Sequence, residues 1–277
     1  MNGRILQAFT QDEAVLVRQG LEELRARLRH VPGGGKLEED YWANVYRTAK
    51  KIQGEDKWSN MPFQDFIHKG IGVEWKLLRR NNPIADQGKT IMHPAATRTI
   101  KYDPSQTAEQ CKNVVLNQWA AKISNFRERV RATSKDGRMA DIRWGILLWS
   151  PNLDEFLYFE EELVEPKPSE FRADWEDGNH RGNRTRNLYI YDRTTDAKRY
   201  SVTLPEKGAK IQPYFTIPSP EEGAHIFKTK EAAAKLLLVT PQTYDDLVNA
   251  ASAAGLSNDL FVEEILNAYL AAVKKRR

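Results

Sequence analysis

The segment from Asp65 to Lys76 constrains the fold of this chain more than any other, because it predicts a tight β-hairpin. Its second half alternates apolar with charged side chains, which is typical of a strand with one buried face. Lys69 and Gly70 stand between the two halves, and glycine readily adopts the positive φ of a two-residue turn. The segment therefore predicts two short antiparallel strands.

The two-residue turn also predicts the register of the hairpin. The expected pairs are His68 with Ile71, Ile67 with Gly72, Phe66 with Val73, and Asp65 with Glu74. Directly opposed residues have Cβ atoms roughly 5 Å apart on one face of the sheet. Lys76 lies two residues beyond Glu74 and so shares that face. We therefore expect two carboxylates and one lysine to lie together.

Two carboxylates this close repel each other unless a cation joins them. Oxygen ligands suit Mg²⁺, and a bound divalent ion can activate water for attack on a phosphodiester. The arrangement resembles the core of the PD-(D/E)xK nuclease superfamily, which includes most type II restriction endonucleases. The resemblance implies that Asp65 and Glu74 hold Mg²⁺ and that Lys76 orients or activates the attacking water. The alternative is an exposed hairpin with a solvated Glu/Lys pair.

A helix predicted over residues 37–52 precedes the hairpin and carries acidic residues at its start. In the nuclease family a helical glutamate often joins the metal cluster. The resemblance therefore implies Glu39 as a further catalytic residue. Acidic residues are also ordinary at the N-terminus of a helix, which explains Glu39 equally well.

The remaining periodicity predicts a protein of mixed secondary structure. Helices are expected over residues 12–29, with Thr10 as N-cap, and 105–131; strands are expected over residues 141–149, 155–159, 188–191, 199–203 and 212–217. These elements predict an α/β (α+β) fold with a mixed central sheet flanked by helices. The resemblance implies that the sheet is restriction-endonuclease-like.

Several donor-rich segments are candidates for contacts with DNA. Basic clusters favour phosphate binding, and Arg and Asn are the usual partners of guanine and adenine edges. The polar, irregular segment 88–100 and the residues directly after the hairpin supply Arg79, Arg80, Lys89, His93, Thr97 and Arg98. The expected loop 174–187 supplies Arg181, Asn183, Arg184, Arg186 and Asn187. A structural histidine at position 93 and a plain surface loop are the alternatives.

Composition narrows the cellular setting. The net charge is +4, with 42 basic and 38 acidic residues, an excess too small to indicate a nucleic-acid binder by itself. A single cysteine, Cys111, excludes an intrachain disulfide and a cysteine zinc site. The sequence has no apolar run long enough to span a membrane and no signal peptide at its start. We therefore expect a cytoplasmic protein without a membrane partner.

The C-terminal part is expected to be a separate module. Residues 218–223 have the composition of a linker, which divides a nuclease core (1–218) from a small, mostly helical module (235–277). The order strand, helix, glycine, helix resembles a ribbon-helix-helix module, an obligate dimer that binds DNA. The expected strand is apolar, however, which favours dimerisation over base reading, and a three-helix appendage is the rival interpretation.

Three functional hypotheses follow from these features. The first is a Mg²⁺-dependent endonuclease that cuts double-stranded DNA as a homodimer or higher oligomer, in the manner of a restriction enzyme. The second is a non-catalytic DNA-binding regulator that uses the ribbon-helix-helix-like tail. The third is a nuclease-fold protein that acts on RNA or as a toxin.

Overall fold

The structure is a computed structural model that describes residues 3–28, 37–52, 66–92, 97–137, 139–180, 183–203 and 209–229. The helices are α1 (Gln11–Leu28), α2 (Glu39–Ala49) and α3 (Ala108–Ala132). The strands are β1 (Ile5–Leu6), β2 (Phe66–His68), β3 (Ile71–Arg79), β4 (Thr90–Met92), β5 (Thr97–Ile100), β6 (Asp141–Trp149), β7 (Glu155–Glu162), β8 (Phe171–His180), β9 (Asn183–Asp192), β10 (Lys198–Thr203), β11 (Ala209–Thr216) and β12 (His225–Lys228).

The first sheet is mixed and has β3 and β6 at its centre. Its order is β2, β3, β6, β7, with β1 and β12 both paired to the outer edge of β7. β3 and β6 run parallel over nine residue pairs, from Ile71 with Asp141 to Arg79 with Trp149. All other pairs in this sheet are antiparallel. A parallel pair needs a long crossover connection, and here that connection contains α3.

Helices α1 and α2 cover one face of the first sheet. Their buried stripes pack against Val73 and Trp75 of β3 and against the apolar residues of β6 and β7. The helix predicted from residue 12 begins where expected. Thr10 Oγ1 accepts a hydrogen bond from the Glu13 backbone N–H at 3.3 Å, and the Glu13 carboxylate accepts one from the Thr10 N–H at 2.8 Å. This reciprocal capping satisfies donors that the first helical turn would otherwise leave unpaired.

Helix α3 covers the opposite face and also supports a second sheet. That sheet is antiparallel, with β8, β9, β10 and β11 in order and both β4 and β5 paired to β11. Trp119, Ile123 and Phe126 of α3 share one core with residues from both sheets. The prediction of a mixed α+β protein whose sheet is flanked by helices is therefore confirmed, while the second sheet was not predicted as a separate layer.

Two predicted irregular segments are regular in the structure. The expected loop 174–187 was wrong, because β8 and β9 pair without interruption from Phe171 with Asp192 to His180 with Asn183. The segment 88–100 was expected to be irregular and contains β4 and β5. Neither segment alternates apolar with polar residues in the sequence, so that pattern could not predict the pairing of their backbones.

The first sheet continues past the expected linker. Ser219 caps a short 3-10 turn, Pro220–Glu222, and β12 then pairs with β7. By internal contacts the chain divides into Met1–Ala232 and Ala233–Arg277. The predicted C-terminal module lies outside the described residues. No helix in the described ranges is long and apolar enough to cross a membrane.

Candidate active site

The β2–β3 hairpin has the predicted turn and register. Phe66 pairs with Val73, Ile67 with Gly72 and His68 with Ile71. Both turn residues have positive φ, 45° at Lys69 and 84° at Gly70, as a type I′ turn requires. The hairpin is therefore set by its own turn chemistry.

Glu74 and Lys76 lie together on the face of β3 that α3 covers. The Lys76 Nζ donates to Glu74 Oε1 at 2.8 Å and to the Trp75 backbone carbonyl at 2.6 Å. Their exposed fractions are 8% and 9%, so this is a buried pair and not a solvated one. A buried ion pair is weak evidence for stability, because desolvation offsets much of the attraction. Because stability does not explain a buried ion pair in the middle of the sheet, we look for a functional role for Glu74 and Lys76.

Arg129 of α3 brings a second positive charge to Glu74. The sequence places Arg129 in a basic cluster suited to phosphate binding, but it does not predict that Arg129 lies near Glu74. Burial lowers the pKa of the Arg129 guanidinium, and the negative charge of Glu74 opposes that change. The helical spacing of the apolar residues of α3 shows which face of the helix is buried, and this pattern could have indicated that Arg129 lies beside that face. Phe126 and Val130 are buried, and Arg129 lies between them on the helix surface.

The close approach of α3 to β3 depends on Gly72. A Cβ at that position would collide with Val130 Cγ2 and would lie 2.8 Å from Phe126 Cζ. Any larger side chain would push the helix away from the strand. The glycine thus allows Arg129 to reach Glu74.

The part of β3 that carries Glu74 and Lys76 is paired on one side only in the described chain. β6 pairs with all of β3, whereas β2 pairs only with Ile71, Gly72 and Val73. Asp65, the second predicted metal ligand, lies outside the described residues. No group of three or more His, Cys, Asp or Glu side chains in the described ranges is placed to hold a metal ion. Glu74 alone, beside two cations, does not supply the oxygen set that Mg²⁺ needs.

Glu39 lies on a different layer from Glu74. It is the exposed first residue of α2, and α2 packs against the face of β3 to which Trp75 points. Alternate residues of a strand point to opposite faces, so Glu74 belongs to the other side of the sheet. The described residues therefore do not bring these two carboxylates together.

A second buried carboxylate, Glu160, lies on that α2-covered face and is fully satisfied by protein donors. It accepts from Arg143 Nη1 at 2.7 Å, from the Tyr158 hydroxyl at 2.7 Å and from the Tyr46 hydroxyl at 3.0 Å. Burial raises the pKa of both phenols, and the charge of Glu160 adds to that effect. These contacts give Glu160 a structural role. The Glu74–Lys76 pair on β3 therefore stays the candidate active site.

Three predicted phosphate contacts, at the end of β3 and in the segment after it, have partners within the protein. Asp86 is buried and accepts from Arg80 Nε at 2.6 Å and from Lys89 Nζ at 2.7 Å. Burial opposes ionisation of Asp86, but these two cations hold its pKa below the ordinary value. Arg79 is exposed and lies 5.7 Å from the ring centroid of Trp149. The segment is therefore built around internal charge pairs.

The other predicted DNA contacts divide by location. Thr97 and Arg98 belong to β5, Asn183 and Arg184 to β9, and His93 and Arg181 lie outside the described residues. Arg186 and Asn187 are on β9, with Arg186 exposed and its guanidinium 4.9 Å from the ring centroid of Trp175.

Comparison of the chain with known protein families, characterised proteins and solved structures finds no match. Its function is therefore inferred from these residues themselves.

Proposed function

We propose that the protein is a Mg²⁺-dependent endonuclease that hydrolyses phosphodiester bonds in double-stranded DNA. The observation that supports this most is the buried Glu74–Lys76 pair, with 2.8 Å between Nζ and Oε1, on the central strand that follows a type I′ turn. The pairing of Asp65 with Glu74 that the sequence predicts is part of this proposal. The topology of a restriction-endonuclease-like core is part of this proposal.

The proposed metal site needs Asp65 together with Glu74. The ion would supply charge stabilisation at the scissile phosphate and lower the pKa of a bound water. Lys76 would hold the attacking water and stabilise negative charge as the new phosphorus–oxygen bond forms and the bond to the leaving oxygen breaks. Arg129, on the same face as Glu74, would stabilise the phosphate that the site binds.

Plasmid DNA incubated with the full chain, with and without Mg²⁺, tests the proposal. We expect Mg²⁺-dependent cutting that falls by about a hundredfold or more in Lys76→Met, because a charge that stabilises the transition state is lost. Met keeps the aliphatic stem in the buried site. DNA cleavage is followed on agarose gels, and thermal melting checks that each variant is folded.

Lys50→Met is the matched control. Lys50 Nζ contacts Glu13 Oε2 at 2.9 Å and the Ala8 backbone carbonyl at 2.5 Å, which reproduces the carboxylate-plus-carbonyl environment of Lys76. Its change should leave cleavage intact. Wild-type protein that shifts DNA without cutting it would instead support the non-catalytic regulator. Equal cleavage by Lys76→Met and wild type would remove Lys76 from the site.

A further inference from the structure

The β8–β9 hairpin extends beyond the sheet that it belongs to. Its strands pair over ten residues each, but β10 pairs with β9 only between Leu188 and Tyr191. Residues 176–180 and 183–187 are therefore a two-stranded β-ribbon with no third strand among the described residues; we call this ribbon the arm. At about 3.3 Å per residue, five residues project roughly 17 Å.

The base of the arm is fixed in the core. Phe171 and Ala173 of β8 and Leu188 and Ile190 of β9 are buried against α3. The Lys112 Nζ donates to the Phe171 carbonyl at 2.8 Å, and Glu109 Oε1 accepts from the Ala173 N–H at 3.0 Å. Backbone hydrogen bonds to a helix hold the base in place, so the arm has a defined direction.

Charge is divided along the arm. Residues 178–180 and 183–187 contain two arginines, one histidine, three asparagines and no acidic residue. Three acidic residues lie nearer the base: Asp174 pairs with Arg172, Glu176 Oε2 lies 3.4 Å from Lys198 Nζ, and Asp177 is opposite Arg186 in the hairpin. The distal half is therefore cationic and rich in amides, while the base is internally compensated.

Arg186 marks the boundary between the two halves. It is exposed, and its guanidinium lies over the ring of Trp175, which leaves the donors at the edge of the guanidinium plane for a partner. Such donors pair bidentately with the O6 and N7 atoms of guanine, and asparagine amides do the same with adenine. The major groove is about 12 Å wide and admits a two-stranded ribbon.

We propose that the arm enters the major groove of duplex DNA and reads base edges there. The choice of DNA as the partner rests on the proposed function. The absence of a third described strand beside the arm fits entry into a groove, and the distal positive charge complements the phosphates on both groove walls.

Binding of mixed-sequence duplex DNA without Mg²⁺ tests this proposal independently of cleavage. Fluorescence anisotropy is measured with the full chain, with a form that lacks residues 178–180 and 183–185, and with Arg186→Gln. The deletion removes three complete cross-strand pairs and keeps the pair of Asp177 with Arg186. We expect at least a hundredfold loss of duplex affinity on shortening and about a tenfold loss for Arg186→Gln.

Arg172→Gln is the matched control, because Arg172 lies over Tyr191 with 4.2 Å to the ring centroid, at the base of the same hairpin. It should bind duplex like the wild type. Methylation interference then identifies the groove: methyl groups at guanine N7 should block binding, and those at adenine N3 should not. Equal affinity of the shortened chain, block at adenine N3 only, or preference for single strands would overturn the proposal. If duplex binding depends on the arm but the protein does not cut DNA, the proposal that the arm binds DNA would be supported and the proposed endonuclease activity would be rejected.

Discussion

Glu161 of β7 brings a buried carboxyl group of the first sheet to Arg199 of the second. Its side chain is 5% exposed, and Oε1 accepts from the Gly3 N–H at 3.0 Å and lies 3.8 Å from Arg199 Nη2 of β10. Burial raises the pKa of Glu161 to about 7, although Arg199 and the Gly3 N–H oppose this change. The carboxyl therefore takes up a proton in the folded state that it releases in the unfolded state at the same pH.

This pKa predicts a specific pH dependence of stability. The folded value of about 7 lies above the ordinary 4.5, so the stability from protonated Glu161 is complete below about pH 4.5 and is lost as the pH rises through 7. The loss amounts to about 3 kcal/mol. Glu161→Gln should abolish this pH-dependent loss. The free energy of unfolding of the variant should therefore rise relative to that of the wild type by about 3 kcal/mol between pH 4.5 and 8. Urea unfolding at several pH values measures the difference.

The neighbouring exposed residue supplies the control for this measurement. Glu162→Gln changes the same functional group on the same strand without entering the contact between the sheets. If wild type and Glu161→Gln followed parallel stability curves across this pH range, Glu161 would not be the group responsible.

At the scale of elements, the crossing of α3 over β3 determines the geometry of the candidate site. Gly72→Ala places a methyl group against Val130 and Phe126, and overpacking of a core typically costs about 1–3 kcal/mol. We expect that loss of stability, and a lower cleavage rate as α3 moves Arg129 away from Glu74. Chemical denaturation and cleavage assays measure the two effects.

A double-mutant cycle separates this contact from a general effect of alanine in a strand. Val130→Ala removes the nearest atom that the new methyl group would meet and leaves the contact with Phe126, so the double variant should lose less stability than the sum of the single losses. Additive losses would mean that Gly72 matters for another reason.

The elements also show what the sequence could and could not predict. The β2–β3 hairpin was predictable to the residue, because Lys69 and Gly70 fix turn and register locally. The site residues Glu74 and Lys76 followed from that register. The approach of Arg129 to Glu74 did not, because it depends on packing between α3 and β3, which are far apart in sequence. The arm was predicted to be a loop because its sequence does not alternate apolar with polar residues, as a strand with one buried face does. Its strands nevertheless pair with each other.

At the scale of the molecule, the first sheet defines where the chain can be shortened. Phe227 of β12 is buried and lies 6.4 Å from Phe9 between ring centroids, and β12 covers half the edge of β7. A chain ending at residue 218 loses this strand, whereas a chain ending at residue 232 retains it. We expect the shorter form to be less stable by about 3–5 kcal/mol, the range for deleting a buried phenylalanine side chain.

Thermal and urea unfolding of the two truncated chains check this expectation, and the form ending at 232 is the control for loss of the C-terminal segment itself. Light scattering on the same proteins tests the predicted self-association of residues 235–277, because only the full chain should then form a dimer or larger species. Identical unfolding midpoints for the two truncated forms would show that β12 adds little.

The shared edge of β7 has a consequence for the order in which the protein can assemble. β1 pairs with Glu160 and Glu161 of β7, and β12 pairs with the residues from Glu155 to Tyr158 on the same edge of that strand. At typical rates of synthesis, β12 leaves the ribosome roughly 10–40 s after β1. Pairings this distant in sequence form slowly, because a long loop must close first. The nascent chain therefore carries an unfinished sheet edge beside its first helix until almost the whole described chain has been made.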